Sequence, residues 1–494
     1  MDYSPYTFCS VYREKNAIYR EEIFIGNMKS MRLLFCCEFY YPSVGGVQEV
    51  MRQIAEHLVQ RGHNVTVATM RLADRRNFSE YNGVNIKEFD IIGNAVNGIK
   101  GEVDQYREFV LNFSCDALMV KAAQQWTFDA LWPVLDRLKM RKVFIPCGFS
   151  GLYEPVFAQY YRELPDILRK FDHLIFYAEK YRDIDFVRAH GMAHFSVLSN
   201  GASEIEFSVP KDPTFRQRYN IPESSHILLT VGSMNGHKGH REIAEAFARM
   251  RLDRQHFTLI LNGNNMPRPM LKPNRLSNPS QKKRNLSDQI YRLFSEIIKM
   301  FKRITELSNL SLNVFLENGL QSVSQRIIKK VVRRLGKFFP RFFLKETDPI
   351  SYWVLKSNRQ SSKLVLKLDL PRPDVVQAFM AADLFVFASN IEYSPLVLFE
   401  SVAAGTPFLS VPVGNAEEIA RWTRGGFICP ANKDERGYTN VDPIELAKKI
   451  ELIMADPLKL RKIGEYGREE WQRRFTWKII AEQYESILKN SNSD

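Results

Sequence analysis

Long apolar runs are missing from this chain of 494 residues. No window of about 18 apolar residues occurs, so no membrane-spanning helix is expected. Secretion is not expected either. The opening MDYSPYTFCSVYREKNAIYREEIF carries charges where a signal sequence has its hydrophobic stretch, and a chain that stays in the cytoplasm is expected. Cysteine is scarce and scattered: Cys9, Cys36, Cys37, Cys115, Cys147 and Cys429 contain no C-x-x-C, which excludes a zinc or disulfide framework and suggests reduced thiols. Acids and histidines also avoid metal-ligand spacing. The closest approach is Asp183-Ile184-Asp185, but YAEKYRDIDFVRAHG has a helical pattern, and residues two apart on a helix point to different faces. No metal and no cofactor are expected.

What is present is an ordinary globular composition, 45% hydrophobic and 25% charged. The length exceeds a single core and implies two or three domains. The net charge of +13 is local, because 21 Lys and Arg against 6 Asp and Glu lie between Asn265 and Lys363, leaving the remainder slightly acidic.

Residues 31–70 read strand, glycine turn, amphipathic helix, strand. Leu33–Cys37 is a short apolar run, Val47, Val50, Met51, Ile54, Ala55 and Leu58 recur at helical spacing, and Gly62 precedes Val65-Thr66-Val67-Ala68. A strand–helix–strand unit of this size implies a parallel sheet. Further strands are expected at Ala117–Val120, Lys142–Ile145, Leu174–Phe176 and Phe195–Leu198. The turn dipeptide Asn200-Gly201 breaks the rhythm. A second alternation then follows: HILLTVG, a helix over Lys238–Met250, HFTLILNG, KLVLKLD, a helix over Pro373–Ala381, DLFVFAS and PFLSVPVG. The expected domains are an extension at 1–30, a first Rossmann-like domain at 31–200, a second at 201–474 interrupted by a basic segment at 265–362, and a last helix and tail at 475–494. Such α/β halves bind ligands at the carboxyl ends of their strands.

The stretch IEYSPLVLFESVAAGTP, Ile391 to Pro407, follows DLFVFAS directly. Ser394 suits an N-cap and Pro395 a first helical residue, with Gly405 placed to end the helix. A helix start at a strand's carboxyl end offers free N–H groups and a favourable dipole to a phosphate. Glu392 stands before it, able to accept hydroxyl protons from a neutral polyol. Glu400 stands one to two turns inside, able to accept bonds from a ribose. The same spacing also suits a capped amphipathic helix with a half-exposed Glu400.

Glu392-x7-Glu400 followed by Ala-Ala-Gly-Thr-Pro resembles the signature of retaining GT-B glycosyltransferases, specifically glycosyltransferase family 4. Tyr41-Pro-Ser-Val-Gly-Gly-Val is similar to that family's first strand–helix turn. Ser199-Asn200-Gly201 through Phe207 resembles its inter-domain segment, His237-Lys238-Gly239 its phosphate-binding turn, and RFTWKIIAEQYESIL its last helix. The resemblance covers Met31 to Leu488 apart from the basic segment. It implies a GT-B fold: two Rossmann-like, doubly wound domains facing across a cleft, with a basic and largely helical insertion in the second. It also implies a UDP- or GDP-linked sugar donor held by Gly45, Gly46, Ser233, Lys238, Glu392, Tyr393, Ser394, Pro395, Leu396, Val397 and Glu400. In that scheme Glu392 holds donor-sugar hydroxyls, Glu400 the ribose, and Lys238 neutralises the diphosphate leaving group. Gly45 and Gly46 let backbone N–H groups approach, which a Cβ would block. A solvated lysine before a helix and a plain tight turn are the simpler readings of Lys238 and of the glycines. Two positions depart from the family. Ser233 stands where an arginine is frequent, and DALMVKAAQQWTFDAL has no histidine after the fourth strand, leaving Gln124 or Gln125 as candidates for a sugar contact.

Within the basic segment, Ile328, Val331, Val332, Leu335 and Phe339 fall on one helical face and Arg326, Lys329, Lys330, Arg333, Arg334 and Lys337 on the other. That pattern suits an anionic membrane surface. It also suits a helix packed on the second domain with a solvated basic face, and no recognised nucleic-acid module accompanies it. The expected function is retaining transfer of a sugar from a nucleotide donor to a hydroxyl acceptor. The acceptor is expected to be a surface glycan or lipid-linked saccharide at the cytoplasmic membrane face. The alternatives are a GT-B enzyme acting on soluble glucans or disaccharides, and a non-catalytic glycan- or nucleic-acid-binding protein.

Overall fold

The structure, a computed structural model, describes residues 30–75, 78–251, 255–263 and 348–489. They divide into two compact units. One takes the described residues up to Glu204 with Tyr393–Phe399 and those from Trp471 onward, and the other takes Ile205–Glu392 and Glu400–Glu470.

The first unit is built on β1 (Arg32–Cys36), β2 (Asn64–Met70), β3 (Glu80–Tyr81), β4 (Val84–Phe89), β7 (Ala117–Lys121), β8 (Arg141–Ile145), β9 (His173–Phe176) and β10 (Phe195–Val197). These form one sheet in the order β10-β9-β8-β7-β1-β2-β4-β3, parallel except for the β3–β4 pair. Successive side chains of a strand point to opposite faces, and the core divides accordingly. Leu34, Leu118, Phe144 and Leu174 join one cluster, while Leu33, Phe35, Met119, Val143 and Ile175 join the other. The second cluster also takes Val50, Met51, Ile54 and Leu58 from the helix Gly46–Gln60, and Trp477, Ile480, Tyr484 and Leu488 from the helix Trp477–Lys489. A sheet buried on both faces explains why its strands read as unbroken apolar runs.

β3, β4 and the exposed hairpin of β5 (Ile91–Asn94) and β6 (Gly98–Gly101) are not among the strands expected from sequence. The hairpin buries only Ile91, so it leaves almost no apolar alternation to read.

The second unit holds β11 (Ser225–Val231), β12 (His256–Asn262), β13 (Lys363–Leu368), β14 (Leu384–Phe387), β15 (Phe408–Ser410) and β16 (Gly426–Ile428), all parallel, in the order β13-β12-β11-β14-β15-β16. The helix Pro349–Ser357, N-capped by Asp348, packs on the helix His240–Arg249 through the buried Trp353. A small antiparallel hairpin, β17 (Asn432–Lys433) and β18 (Thr439–Asn440), stands apart from the main sheet.

Two local expectations are corrected. The helix after Lys238 begins at His240, because Gly239 sits at φ 72° in the left-handed region and cannot continue a right-handed helix. Ser394 does not cap its helix, which spans Leu396–Ala403. The Ser394 carbonyl accepts from the Asn200 side chain at 3.2 Å, and its hydroxyl is buried with no hydrogen-bond partner among the described residues. The basic face Arg326, Lys329, Lys330, Arg333, Arg334 and Lys337 lies outside the described residues.

Candidate active site

Each sheet has a point where its winding reverses. In the second unit the chain runs outward from β11 to β12 and β13, then crosses to the other side of β11 as β14. Loops leaving the carboxyl ends of β11 and β14 therefore diverge and leave a crevice between them, the usual place for a ligand in an open α/β sheet. The loop after β11 is Gly232–Gly239 and the loop after β14 is Ala388–Glu392. Lys238 and Glu392 thus fall beside one crevice of one unit.

Backbone bonds stitch the two loops together. The Asn390 N–H donates to the His237 carbonyl at 2.8 Å. The buried Ser389 hydroxyl lies 3.0 Å from that carbonyl and 3.0 Å from Glu392 Oε1, and its single proton serves one at a time. Gly239 fits beneath. A Cβ there would lie 2.1 Å from the Ala388 carbonyl oxygen, a backbone atom that cannot swing aside. With the loops so fixed, Lys238 Nζ donates to Glu392 Oε1 at 2.5 Å, their side chains 26% and 16% exposed. A cation and a hydroxyl-accepting carboxylate stand side by side, each still reachable from solvent.

Gly239→Ala follows as a test of this packing. It is expected to cost about 1–3 kcal/mol for overpacking, with about 1–2 kcal/mol more for a left-handed alanine. Urea unfolding measures the loss, and a variant as stable as wild type would mean the two loops are not packed as described.

Glu400 is deeper, 8% exposed, and accepts from Arg372 Nη2 at 2.6 Å. Arg372 also binds Glu206, through Nε at 3.0 Å and Nη2 at 2.7 Å. One guanidinium therefore holds two carboxylates, and Glu400 is oriented by a partner that helix spacing does not reveal. Ser233 contributes its carbonyl to the loop, accepting from the Asn235 N–H at 2.9 Å, and adds no charge.

In the first unit the winding reverses between β1 and β7. Gly45 and Gly46 follow β1 and open the helix Gly46–Gln60, which has no side-chain N-cap, so its first N–H groups are left for other acceptors. A Cβ on Gly46 would meet no atom within 4 Å, so the space beside it is open. Gln124 and Gln125 follow β7. Gln124 sits at φ 64°, and its Oε1 accepts from Ser150 Oγ at 3.1 Å and from the Gly151 N–H at 3.2 Å. It is committed to the neighbouring loop. Gln125 Oε1 is buried with no hydrogen-bond partner among the described residues.

Tyr393, Ser394, Pro395, Leu396 and Val397 belong to the first unit. Tyr393 and Leu396 pack against its core, and the Tyr393 hydroxyl accepts from the Tyr177 N–H at 3.0 Å while bonding to Asp183. Asp183 is fully buried and also accepts from the Gly148 N–H at 2.8 Å. Burial pushes its carboxyl up to about 6, against the pull of those donors. Asp185 is exposed, so the two carboxylates part company as helical spacing requires. Asp183, an organiser of this unit, carries no signal in the sequence beyond its place in D-x-D. Glu38, one residue past Cys37, is pushed up to about 7 by burial and then by the charge of Asp129, itself raised to about 6 by burial.

Comparison with known proteins bears on the fold. The profile of the family "Glycosyl transferases group 1" matches residues 355–470. A segment of 120 residues is 30% identical to the alpha-maltose-1-phosphate synthase of Mycolicibacterium smegmatis, covering 24% of this chain and 30% of that protein. The chain thus spans under a third of the length of such curated relatives. Over the whole fold, the Anabaena protein HepE, solved with UDP and glucose, superposes with TM-score 0.58 at 14% identity, covering 93% of this chain and 99% of that one. WaaG, a glycosyltransferase involved in lipopolysaccharide biosynthesis, gives TM-score 0.55 at 16% identity, covering 93% and 100%. At these identities the likeness establishes the fold, which is GT-B.

Proposed function

We propose that this chain, whose residues 355–470 match the profile of the glycosyl transferases of group 1, moves a glycosyl unit from a nucleotide diphosphate sugar to a hydroxyl acceptor with retention. The observation that carries the reading is the Lys238–Glu392 pair at the β11/β14 crevice. Negative charge grows on the departing diphosphate as the bond to the sugar breaks. A cation placed there stabilises the transition state more than the bound donor, and so accelerates the reaction. On this reading Lys238 and loop N–H groups, not a divalent cation, meet the diphosphate. Glu392 accepts bonds from the donor sugar's hydroxyls, and Glu400, held by Arg372, accepts from the ribose. The acceptor attacks on the face the diphosphate leaves. The bond from the sugar's anomeric carbon to the acceptor oxygen forms as its bond to the phosphate breaks, and the hydroxyl proton passes to the departing phosphate.

A UDP-linked donor is favoured because HepE was solved with UDP and glucose. A surface glycan or lipid-linked saccharide as acceptor is favoured by the likeness to WaaG and by the basic segment, which suits an anionic cytoplasmic membrane face. The match to alpha-maltose-1-phosphate synthase supports a second reading, a soluble sugar acceptor. Transfer assays with both acceptor classes separate the two.

A nucleotide-sugar panel scored by thermal shift tests the donor. A ligand at a hundred times its dissociation constant adds about 2.7 kcal/mol, so one UDP- or GDP-sugar should raise the melting temperature clearly. No shift with any of them would overturn the proposal.

A further inference from the structure

The hairpin β17–β18 is clamped to the phosphate-side loops. Asn390, two residues before Glu392, accepts from the Thr439 N–H at 2.8 Å and donates through Nδ2 to the Thr439 carbonyl at 2.7 Å. Its own N–H is the one that holds the His237 carbonyl. The Tyr438 ring meets the His237 ring edge-on, with centroids 6.3 Å apart, and His237 is the residue before Lys238. The turn between the strands is fixed by Asp434, whose Oδ1 accepts from the N–H groups of Arg436 at 3.0 Å and Tyr438 at 2.8 Å. On this turn the Arg436 guanidinium lies 4.9 Å from the centre of the Tyr438 ring, with its side chain 70% exposed. Its ion-pair partner among the described residues is Asp434, whose oxygen stands 4.0 Å away.

Charge decides what such an arginine is for. A nucleotide diphosphate brings at least two negative charges to the loops. Lys238 is compensated by Glu392 at 2.5 Å, and Ser233 adds none. Arg372 is spent on two carboxylates. A site neutral before the donor arrives would leave the leaving group's charge unmet. Arg436 is the long cation whose backbone is tied, through Thr439 and Asn390, to the same loop carbonyl that positions Lys238.

Resting on the donor reading above, we infer that Arg436 supplies the second cation for the donor's diphosphate. It leaves its stacked position on Tyr438 to make charge-assisted bonds to phosphate oxygens, and the Asn390–Thr439 clamp keeps the hairpin within reach. An arginine suits this task because its planar fork can bind two phosphate oxygens at once.

Calorimetric titration tests the assignment, using whichever of UDP and GDP wild type binds, together with the matching nucleoside. Arg436→Gln should weaken the diphosphate about tenfold and leave the nucleoside unchanged, with the difference shrinking at high salt. Arg436→Lys should keep most of the affinity, which a loss of hairpin structure would not allow. Equal diphosphate affinity in Arg436→Gln and wild type would overturn the inference while the donor reading stands. A parallel loss for nucleoside and diphosphate would also overturn it, as a structural effect. Wild type that binds neither diphosphate removes the donor reading itself.

Discussion

Replacing Lys238 by alanine is expected to lower sugar transfer about 10²–10³-fold, the size of effect seen when a preorganised donor to developing charge is removed. Two losses combine. The departing diphosphate loses its cation, and Glu392, 16% exposed, is left as a carboxylate with its 2.5 Å partner gone. That carboxylate then faces the incoming phosphates as a like charge, so donor affinity falls as well. If Lys238 acts mainly in the transition state, kcat falls more than donor binding does. Initial rates against donor concentration, with calorimetric donor affinities, separate the two. The double variant Lys238→Ala with Glu392→Gln should bind donor better than Lys238→Ala alone, since neutralising the acid removes the repulsion. Such non-additivity is what contact between the two side chains demands. A variant within about threefold of wild-type turnover, well short of the loss expected of such a donor, would show that the diphosphate is met elsewhere.

Much of this architecture is readable from period and punctuation. Parallel strands covered on both faces carry apolar runs such as LFVF (Leu384–Phe387) and LLTV (Leu228–Val231), and Gly232 marks the turn after the second. The loops after β1, β7 and β11 are singled out by their resemblance to a family's motifs, and the loop after β14 also by its place between an apolar strand and a helix start. What escapes is whatever depends on pairing between distant segments. Arg372 lies 28 residues from Glu400 and 166 from Glu206, and no periodicity joins them. Asn390 meets Thr439 across 49 residues, in a hairpin of two-residue strands too short to leave a pattern. Ser394 shows the opposite failure. Its type and position fit an N-cap, but tertiary contacts hold its carbonyl and the helix starts two residues on. Local propensity places the element, and long-range bonds decide its edge.

The second large effect concerns a residue far from any proposed chemistry. Glu485, in the helix Trp477–Lys489, is 2% exposed and accepts from Arg61 Nε at 2.5 Å, His63 Nε2 at 2.9 Å and Lys489 Nζ. His63 Nδ1 accepts from the Met31 N–H at 3.1 Å, so its proton resides on Nε2 and is donated to Glu485. The carboxylate thus ties the last helix to the turn between the helix Gly46–Gln60 and β2, and through His63 to the start of β1. Glu485→Ala leaves Arg61 and the buried His63 without this acceptor and is expected to destabilise the first unit by about 3–5 kcal/mol. Faster amide exchange along Trp477–Lys489 should accompany the loss. The same group shapes the acid limb of stability. Burial alone would raise its carboxyl, but bonds from Lys489, His63 and Arg61 outweigh that and hold it at about 2, below the usual 4.5. A carboxyl depressed in the folded state binds its proton more readily once unfolded. Its stabilisation is therefore complete above about pH 4.5 and drains away as pH falls toward 2. Glu485→Gln should remove that slope from urea unfolding measured across the window. If Glu485→Ala unfolds within about 1 kcal/mol of wild type, the span expected of an exposed ion pair, the carboxylate does not fasten the helix, and its three donors find equal partners in water.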